Sequence, residues 1–370
     1  MTRKPRWFML MCLMGIVMSL ATCGEQGDDD STDDDDDSDS DDDDTLTDDD
    51  SIPADDDDDN DDDNNDNDND NDDDTVADDD NNNDDNDDND DNDDDSFPAC
   101  EQYATPLAVG RLDSADLDET SGIAVSLKNP GVLWAHNDSG DGAYLYAFDL
   151  EGAYLGRVTL AGVTAVDWED MAVGPCDGDE CLYVGDIGDN GAGRTDCGVY
   201  RAVEPEVNPY VPFGEIALDS WEHFAFSYPD GPRDAEALAV HPDGSVYIFG
   251  KYPGGTSAMY VFPELNPDEP VVLEHLGDLE TGGALAIVTG ADIHRDGTRL
   301  LLRTYISVLE WRLAAGEPFI NILEAERRSQ PFGLELQGEA VAYDPATGNY
   351  LHAAEGSRSM LYRVACQAFH

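Results

Sequence analysis

A short segment that recurs five times in the C-terminal part of the chain most restricts how this protein can fold. An acidic or small residue begins each copy, and in four copies an apolar residue, an alanine and a valine or tyrosine end it. The copies, spaced at intervals of 48 to 67 residues, are Ser121–Val125, Glu169–Val173, Glu236–Val240, Ala291–Arg295 and Glu339–Tyr343. Repetition at this period is typical of architectures in which one small unit packs against the next.

Each copy is followed by a turn rich in Gly, Pro and Asp and by two segments rich in aromatic and β-branched residues, which predicts strands. A fourth, outer strand is predicted in four of the units, at Tyr154–Leu160, His223–Tyr228, Val271–Leu276 and Ile320–Ala325. No stretch has convincing helical periodicity. We therefore predict an all-β fold, a β-propeller of five blades. The 67-residue interval leaves a sixth blade open, and a β-sandwich is the structural alternative.

The two ends of the repeated region are expected to meet. The fifth unit lacks an outer strand, and the segment Leu107–Leu112 can supply it and close the ring. A Cys100–Cys366 disulfide would join the chain ends, and a Cys176–Cys181 disulfide would bridge a hairpin in the second unit. A Cys181–Cys197 pairing stays open. Structural disulfides are expected rather than zinc ligands, because no CxxC pair occurs.

Charge divides the chain into a spacer and a domain. The formal net charge is −68, from 18 Lys and Arg against 86 Asp and Glu, and half of the acidic residues lie in residues 23–96, which contain no Lys or Arg. Such a segment is expected to be disordered and extended. It lacks the spaced Gly and Glu of an EF-hand loop, so a solvated spacer is favoured over an array of specific calcium sites. Binding to nucleic acid is excluded because clustered cations are missing.

The first 22 residues have the pattern of a processing segment. A basic stretch, Met1–Arg6, precedes the apolar run Trp7–Leu20, which is shorter than a membrane span. The sequence Leu20-Ala-Thr-Cys23 resembles the lipobox of bacterial lipoproteins. The resemblance implies cleavage before Cys23, lipidation of its thiol and amino group, and, with Gly24 next, a place in the cell envelope at the outer membrane. An ordinary secretory signal is the alternative.

The predicted organisation is therefore a lipoprotein signal peptide at 1–22, an acidic Asp/Asn-rich tether at 23–96 and a β-propeller domain at 97–370.

Acidic residues recur at strand ends that a propeller would bring to its central channel. Converging carboxylates repel one another unless a cation or protons neutralise them, and oxygen ligands favour Ca²⁺. The predicted metal ligands are Asp138, Glu169, Asp170, Asp186, Asp189, Glu236, Asp292, Glu339 and Glu355. The alternative is a structural polar ring, in which the acids bind backbone amides and pair with Lys251 or Arg303.

Three motifs in this region resemble those of uncharacterised bacterial secreted β-propeller proteins, over roughly residues 115–365. They are Trp134-Ala-His-Asn-Asp-Ser-Gly-Asp141, Asp167-Trp-Glu-Asp170 and Gly185-Asp-Ile-Gly-Asp-Asn190. This resemblance implies the fold but no activity. More distantly, Gln337-Gly-Glu-Ala340 and Asp234-Ala-Glu-Ala237 are similar to inner-strand motifs of β-propeller phytases and of gluconolactonase/strictosidine-synthase-like propellers, in which similar acids hold calcium.

We expect a monomeric binding or scaffolding module that is anchored to the membrane by lipid, with a protein or carbohydrate ligand. The alternative is a calcium-dependent hydrolase of lactones or phosphoesters, with Glu169, Glu236 and His136 as catalytic candidates. Phytate hydrolysis is disfavoured because the domain has only two lysines to bind phosphates, Lys128 and Lys251.

Overall fold

A computed structural model of the protein describes residues 100–367. The signal peptide and the acidic tether predicted from the sequence lie outside the described residues. Residues 100–367 form a five-bladed β-propeller, as predicted. The first four strands of each blade are antiparallel to their neighbours, the first strand lies at the central channel, and the next strands follow outward.

The first three blades are described from the channel outward. Blade 1 contains β3 (Thr120–Val125), β4 (Val132–Asn137), β5 (Tyr144–Asp149), β6 (Tyr154–Leu160) and β10 (Gly214–Leu218). Blade 2 contains β7 (Trp168–Cys176), β8 (Asp179–Asp186), β9 (Gly198–Val203), β11 (Glu222–Ser227) and β15 (Val271–Val272). Blade 3 contains β12 (Ala235–Val240), β13 (Val246–Gly250), β14 (Thr256–Val261) and β16 (Glu274–Glu280).

The last two blades have four strands each, in the same order from the channel. Blade 4 contains β17 (Val288–Ile293), β18 (Arg299–Thr304), β19 (Ser307–Arg312) and β20 (Arg328–Gln330). Blade 5 contains β21 (Gly338–Tyr343), β22 (Tyr350–Ala354), β23 (Met360–Val364) and, from the beginning of the domain, β2 (Leu107–Arg111). A two-stranded sheet, β1 (Gln102–Tyr103) with β24 (Cys366–Gln367), lies beside the ring closure.

The long second interval contains an additional edge strand and no sixth blade. The strand β10 lies in this interval and pairs in parallel with β6, so it extends blade 1 outward. In the same way β15 precedes the outer strand of blade 3 and pairs in parallel with β11. The predicted strand Val271–Leu276 is therefore split between two blades, because its first residues extend blade 2 while Glu274 begins β16.

The predicted outer strand at Ile320–Ala325 is wrong. Residues Phe319–Glu324 form a 3-10 helix that buries Phe319 and Ile322. These residues are three apart, and side chains at this spacing lie on the same side of a 3-10 helix. The outer strand of blade 4 is instead the short β20, which pairs with β19.

The hydrophobic core consists of five clusters, one between each pair of adjacent blades. One joins blades 1 and 2 around Trp134, and the next joins blades 2 and 3 around Tyr183 and Tyr260. The remaining three lie between blades 3 and 4, 4 and 5, and 5 and 1. The aromatic residues of the second and third strands pack between blades, because each sheet buries both of its faces against its neighbours.

The ring closes as the sequence predicted. The strand β2 pairs with β23, so the N-terminal segment completes the blade formed by the C-terminal segment. Disulfides join Cys100 to Cys366 and Cys176 to Cys181, with Cα atoms 5.4 and 5.8 Å apart. Cys197 is a buried free thiol, so the alternative Cys181–Cys197 pairing is wrong.

Within residues 100–367, no helix combines the length and the hydropathy of a membrane span.

Candidate metal centre at the channel mouth

The inner strands all begin at one end of the channel, which we call the upper mouth, and end at the other, the lower mouth. Each inner strand carries a bulge after its first residue. Glu169, Glu236 and Glu339 occupy this bulge position in blades 2, 3 and 5, while Ser121 and Thr289 occupy it in blades 1 and 4. The predicted equivalence of the three glutamates is confirmed, and all three are buried.

Three carboxylates converge at the upper mouth, on the side of blades 1 and 2. Asp138, Asp167 and Glu169 each offer one oxygen, and these oxygens all lie within 4.8 Å of one another. Asp138 and Asp167 are partly exposed, whereas Glu169 is 4 % exposed. One member comes from each of two loops and one from β7, so the cluster exists only in the folded propeller.

Neighbouring polar residues hold the Asp138 loop in place. The side-chain oxygen of Asn137 accepts hydrogen bonds from the backbone N–H groups of Asp118 and Glu119, at 3.0 and 2.9 Å. Its amide nitrogen donates to Asp141 Oδ2 at 2.6 Å. Asn137 therefore ties together two segments at the end of β4, and this fixes the position of the residue that follows it.

The Asp167 loop is held by Asp186. The Asp186 carboxylate accepts hydrogen bonds from the backbone N–H groups of Val166 and Asp167, both at 3.1 Å. Arg194 donates to the same carboxylate at 2.7 Å and to the Gly188 carbonyl at 2.7 Å. Asp186 thus orients a member of the cluster from behind and lies outside the cluster itself.

Gly188 packs directly against the cluster. A Cβ atom at this position would overlap Glu169 Oε1 and would lie 2.6 Å from Asp167 Oδ2. Any side chain at position 188 would therefore fill the space between these two carboxylates. The three sequence motifs contribute Asp138, Asp167 with Glu169, and Gly188, so all three meet at this one place.

Burial and mutual repulsion raise the pKa values of the acids at this mouth. Burial first, and then the charges of Glu236, Asp138 and Asp167, raise the pKa of Glu169 well above its usual range. Burial raises the pKa of Glu236 to about 8, although Lys251 opposes the shift. The carboxylates are thus held in a place where their charge is poorly compensated.

Two further acids at this mouth show the same effect. Burial and the charge of Asp138 raise the pKa of Asp167 to about 6. Burial, followed by Glu236 and Glu355, raises the pKa of Glu339 well above its usual range.

Lys251 offsets part of the negative charge. Its ammonium group pairs with Glu236 and lies 3.9 Å from Asp234 Oδ2. The salt bridge to Glu236 fixes the position of Lys251. Arg303, which the sequence offered as a second partner for the acids, instead forms a salt bridge with Glu335 at 2.7 Å. Lys251 opposes the rise in the pKa of Glu169 and Glu236, and Arg194 opposes the rise in the pKa of Asp167.

Asp170 lies beneath the cluster and binds backbone. Its Oδ2 accepts hydrogen bonds from Leu238 N and Ala291 N, both at 2.9 Å, and its Oδ1 accepts from Met171 N at 2.8 Å. The side chain therefore joins blades 2, 3 and 4. Asp170 therefore behaves as predicted for a structural polar ring, in which the acids bind backbone amides.

Asp292 is not equivalent to Asp170, so the predicted register of the fourth repeat is wrong. The pairing of β17 places Thr289 at the bulge and Asp292 three residues beyond it, at the position of Ala172 in blade 2. Asp292 therefore lies toward the lower mouth, where its oxygens accept hydrogen bonds from Ile293 N and Tyr343 N at 2.8 and 2.7 Å.

The other predicted residues surround the cluster without joining it. Asp189 accepts a hydrogen bond from Arg194 N at 2.8 Å and orders the loop after β8. Glu355 accepts from Gln337 Nε2 at 2.6 Å. His136 is fully buried against Trp168, and its Nδ1 bonds the Asn137 carbonyl at 2.8 Å.

Sequence reasoning missed Asp167 and Gly188 as members of the site, although both belong to quoted motifs. Asp167 lies in the loop before β7, so strand alternation does not place it, and the acidic composition of its Asp-Trp-Glu-Asp motif was the available signal. The role of Gly188 depends on how one loop approaches another, which no local pattern reveals.

Comparisons with known proteins leave the family of this chain open. No family model matches the chain, and no curated protein does. Among solved structures, the chain is similar to the PQQ-bound form of aldose sugar dehydrogenase from Streptomyces coelicolor, with 12 % identity and a TM-score of 0.41, over 72 % of this chain and 99 % of that one. A likeness at this level supports no inference about activity.

Proposed function

We propose that the propeller is a calcium-binding module, with the ion held between Asp138, Asp167 and Glu169. The carrying observation is the convergence of three carboxylate oxygens within 4.8 Å of one another. Calcium–oxygen bonds of about 2.3–2.6 Å let one ion bridge oxygens separated by up to roughly 5 Å. The remaining coordination positions would take water or oxygen atoms of a ligand.

The chemistry of the donors supports a hard cation. The cluster offers only carboxylate oxygens, and Gly188 keeps the space between two of them clear. Zinc and copper prefer nitrogen and sulfur ligands, whereas calcium takes oxygen ligands in flexible geometry. A divalent cation would also offset the neighbouring negative charges that, after burial, raise the pKa of Glu169.

The anchor belongs to the same proposal. The sequence Leu20-Ala-Thr-Cys23 supports a lipid on Cys23, which would attach the protein to a membrane through the segment that precedes the propeller. The propeller would then be displayed to a protein or carbohydrate ligand. We propose a lipoprotein of the bacterial cell envelope that displays this module.

Isothermal titration of the purified protein with calcium, after treatment with EDTA, tests the ion site. We expect one strong site in the wild type and a loss of affinity of about 100-fold or more in Asp167→Asn, because a charged ligand is removed. The matched control is Asp268→Asn, an exposed acid on the loop before β15, which should bind as the wild type does.

A second pair of variants separates the site from general electrostatics. Gly188→Ala changes no charge but places a methyl group between the carboxylates, so calcium binding should be lost. Gly191→Ala lies in the same loop, where a Cβ atom would meet its nearest neighbour at 3.9 Å, so binding should be retained. Absence of calcium binding in the wild type, or equal binding by all four variants, would disprove the proposal.

The hydrolase alternative has less support from the geometry. Of the three catalytic candidates, His136 is buried between blades and Glu236 is paired with Lys251, which leaves Glu169. A calcium-dependent turnover of lactones or phosphoesters that Glu169→Gln abolishes would nevertheless establish it over the binding module.

A further inference from the structure

A cavity of about 190 Å³ lies at the lower mouth, at the end of the channel opposite the carboxylate cluster. All five blades contribute the last residue of the inner-strand repeat to its wall. These equivalent residues are Val125, Val173, Val240, Ile293 and Tyr343. A second ring two residues further on is also largely apolar and comprises Leu127, Pro175, Pro242, Arg295 and Pro345. We call this cavity the lower cup.

Two acids line the lower cup, and they differ in how their oxygens are used. Both oxygens of Asp292 accept backbone hydrogen bonds. Glu180 Oε2, in contrast, is buried and has no hydrogen-bond partner among residues 100–367. A buried acceptor that has lost its water and gained no partner is unfavourable. The lower cup therefore contains one unsatisfied acceptor in a wall whose other charged side chains are Asp292 and Arg295.

The charged residues near Glu180 affect its protonation and therefore the charge that a ligand in the lower cup would contact. Burial, followed by the charge of Glu204, raises the pKa of Glu180, while Arg295 opposes that shift. Arg295 belongs to the second ring and is exposed at the rim. A group that donates a hydrogen bond fits the inner acceptor, whereas a carboxylate would face Glu180 directly.

We propose that the lower cup binds a small molecule with a compact hydrocarbon body and one hydrogen-bond donor, a hydroxyl or an amine, directed at Glu180 Oε2. The volume suits a single ring, and apolar pockets with few polar groups are the usual form of small-molecule sites. The site is independent of the proposed calcium centre, because Asp170 and the inner strands lie between the two mouths.

Saturation-transfer NMR on the full-length protein tests this, with cyclohexanol, cyclohexylamine and cyclohexanecarboxylate as probes. The alcohol and the amine should bind with dissociation constants of about 1 mM, as expected for ligands with few atoms. They should compete with each other, and the carboxylate should bind at least about tenfold more weakly.

Two variants locate the binding. Glu180→Leu removes the acceptor and should weaken both donors about tenfold. Val173→Phe fills the lower cup and should abolish binding. Glu274→Leu changes an exposed acid on β16 and should have no effect.

A calcium titration and a melting temperature equal to those of the wild type show that each variant is folded. The result of this test is therefore independent of the calcium proposal. The inference is overturned if neither cyclohexanol nor cyclohexylamine shows binding at concentrations up to about 10 mM, ten times the expected dissociation constant. It is also overturned if the carboxylate binds more tightly than the donors, or if both Glu180→Leu and Val173→Phe bind as the wild type does.

Discussion

Asp170 shows how an acidic residue on the channel axis stabilises the fold rather than binding a ligand. Its two oxygens accept three backbone hydrogen bonds, two of them from blades other than its own. Burial raises the pKa of this carboxyl well above its usual range, while those bonds oppose the shift. The hydrogen-bonding capacity of this side chain is therefore used to join three blades.

Asp170→Ala should lower the free energy of unfolding by about 2–5 kcal/mol, since buried N–H groups of neighbouring blades lose their acceptor. Urea denaturation followed by circular dichroism measures this. The surface variant Asp268→Asn should stay within about 0.5 kcal/mol of the wild type. Equal stability of Asp170→Ala and Asp268→Asn would contradict the role assigned to Asp170.

Asp292 predicts a dependence of stability on pH. Burial raises its pKa from 3.8 to about 7, although two backbone hydrogen bonds oppose the shift. The folded protein therefore holds this proton more tightly than the unfolded chain does. The resulting stabilisation is fully present below about pH 4 and is lost as the pH rises toward 7.

Asp292→Asn has no proton to lose at this position. The stability of the wild type relative to this variant should decrease between pH 4 and pH 7, by about 2–4 kcal/mol. Denaturation curves of both proteins at a series of pH values measure the difference. A difference that stays constant or grows with pH would show that Asp292 is ionised in the folded state.

At the residue scale, the equivalent glutamates could be found from the sequence because the repeat places them. The two carboxylates that loops contribute to the cluster, Asp138 and Asp167, could not be brought together from the sequence. Asp138 was recognised as an acid at a strand end, but its contact with Asp167 depends on loops that Asn137 and Asp186 hold in place through hydrogen bonds. Such contacts follow from the folded arrangement and leave no regular spacing in the chain.

At the scale of elements, the strands were predictable wherever apolar residues alternate, and the errors occurred where that signal is weak. The fourth repeat was placed two residues too late, which leaves the alternation of its side chains unchanged. The correct copy, Thr289 to Ile293, begins with no acid, whereas Ala291-Asp292 imitates the acidic beginning of the other copies. Similarly β20, with the sequence Arg-Ser-Gln, has no apolar residue to reveal it.

Ring closure predicts that the two disulfides differ in their effect on stability. The Cys100–Cys366 bond closes a loop with a sequence separation of 266, against 5 for Cys176–Cys181. By loop-closure entropy, the long loop should contribute about 5.5 kcal/mol and the short one about 2 kcal/mol.

Denaturation of the double serine variants of each pair, compared with the wild type, measures these contributions. The variant lacking Cys176 and Cys181 serves as the matched control for the removal of a disulfide as such. A larger loss from the short hairpin bond than from the closing bond would contradict the idea that the Cys100–Cys366 bond secures the ring.

At the scale of the whole molecule, the propeller separates two mouths with different chemistry. The upper mouth gathers acids, and the lower mouth is lined by the apolar ends of five inner strands. The described chain begins and ends on the lower side, as the pairing of β1 with β24 shows.

The proposed lipid anchor predicts where the protein is found in the cell. Cys23→Ser should move the protein from the membrane fraction to the soluble exported fraction and abolish labelling by a radioactive fatty acid, because the acyl chains supply the anchoring. Cys197→Ser, which changes the buried free thiol, should remain in the membrane fraction. Retention of Cys23→Ser in the membrane, or a wild type without fatty acid, would disprove the anchor.

The central claim is that a calcium ion occupies the upper mouth, and a crystal structure of the protein grown with calcium tests it most directly. We predict one ion, bound to Asp138, Asp167 and Glu169 with calcium–oxygen distances of about 2.3–2.6 Å. Density for water alone between these carboxylates, or an ion bound only elsewhere in the propeller, would contradict the claim.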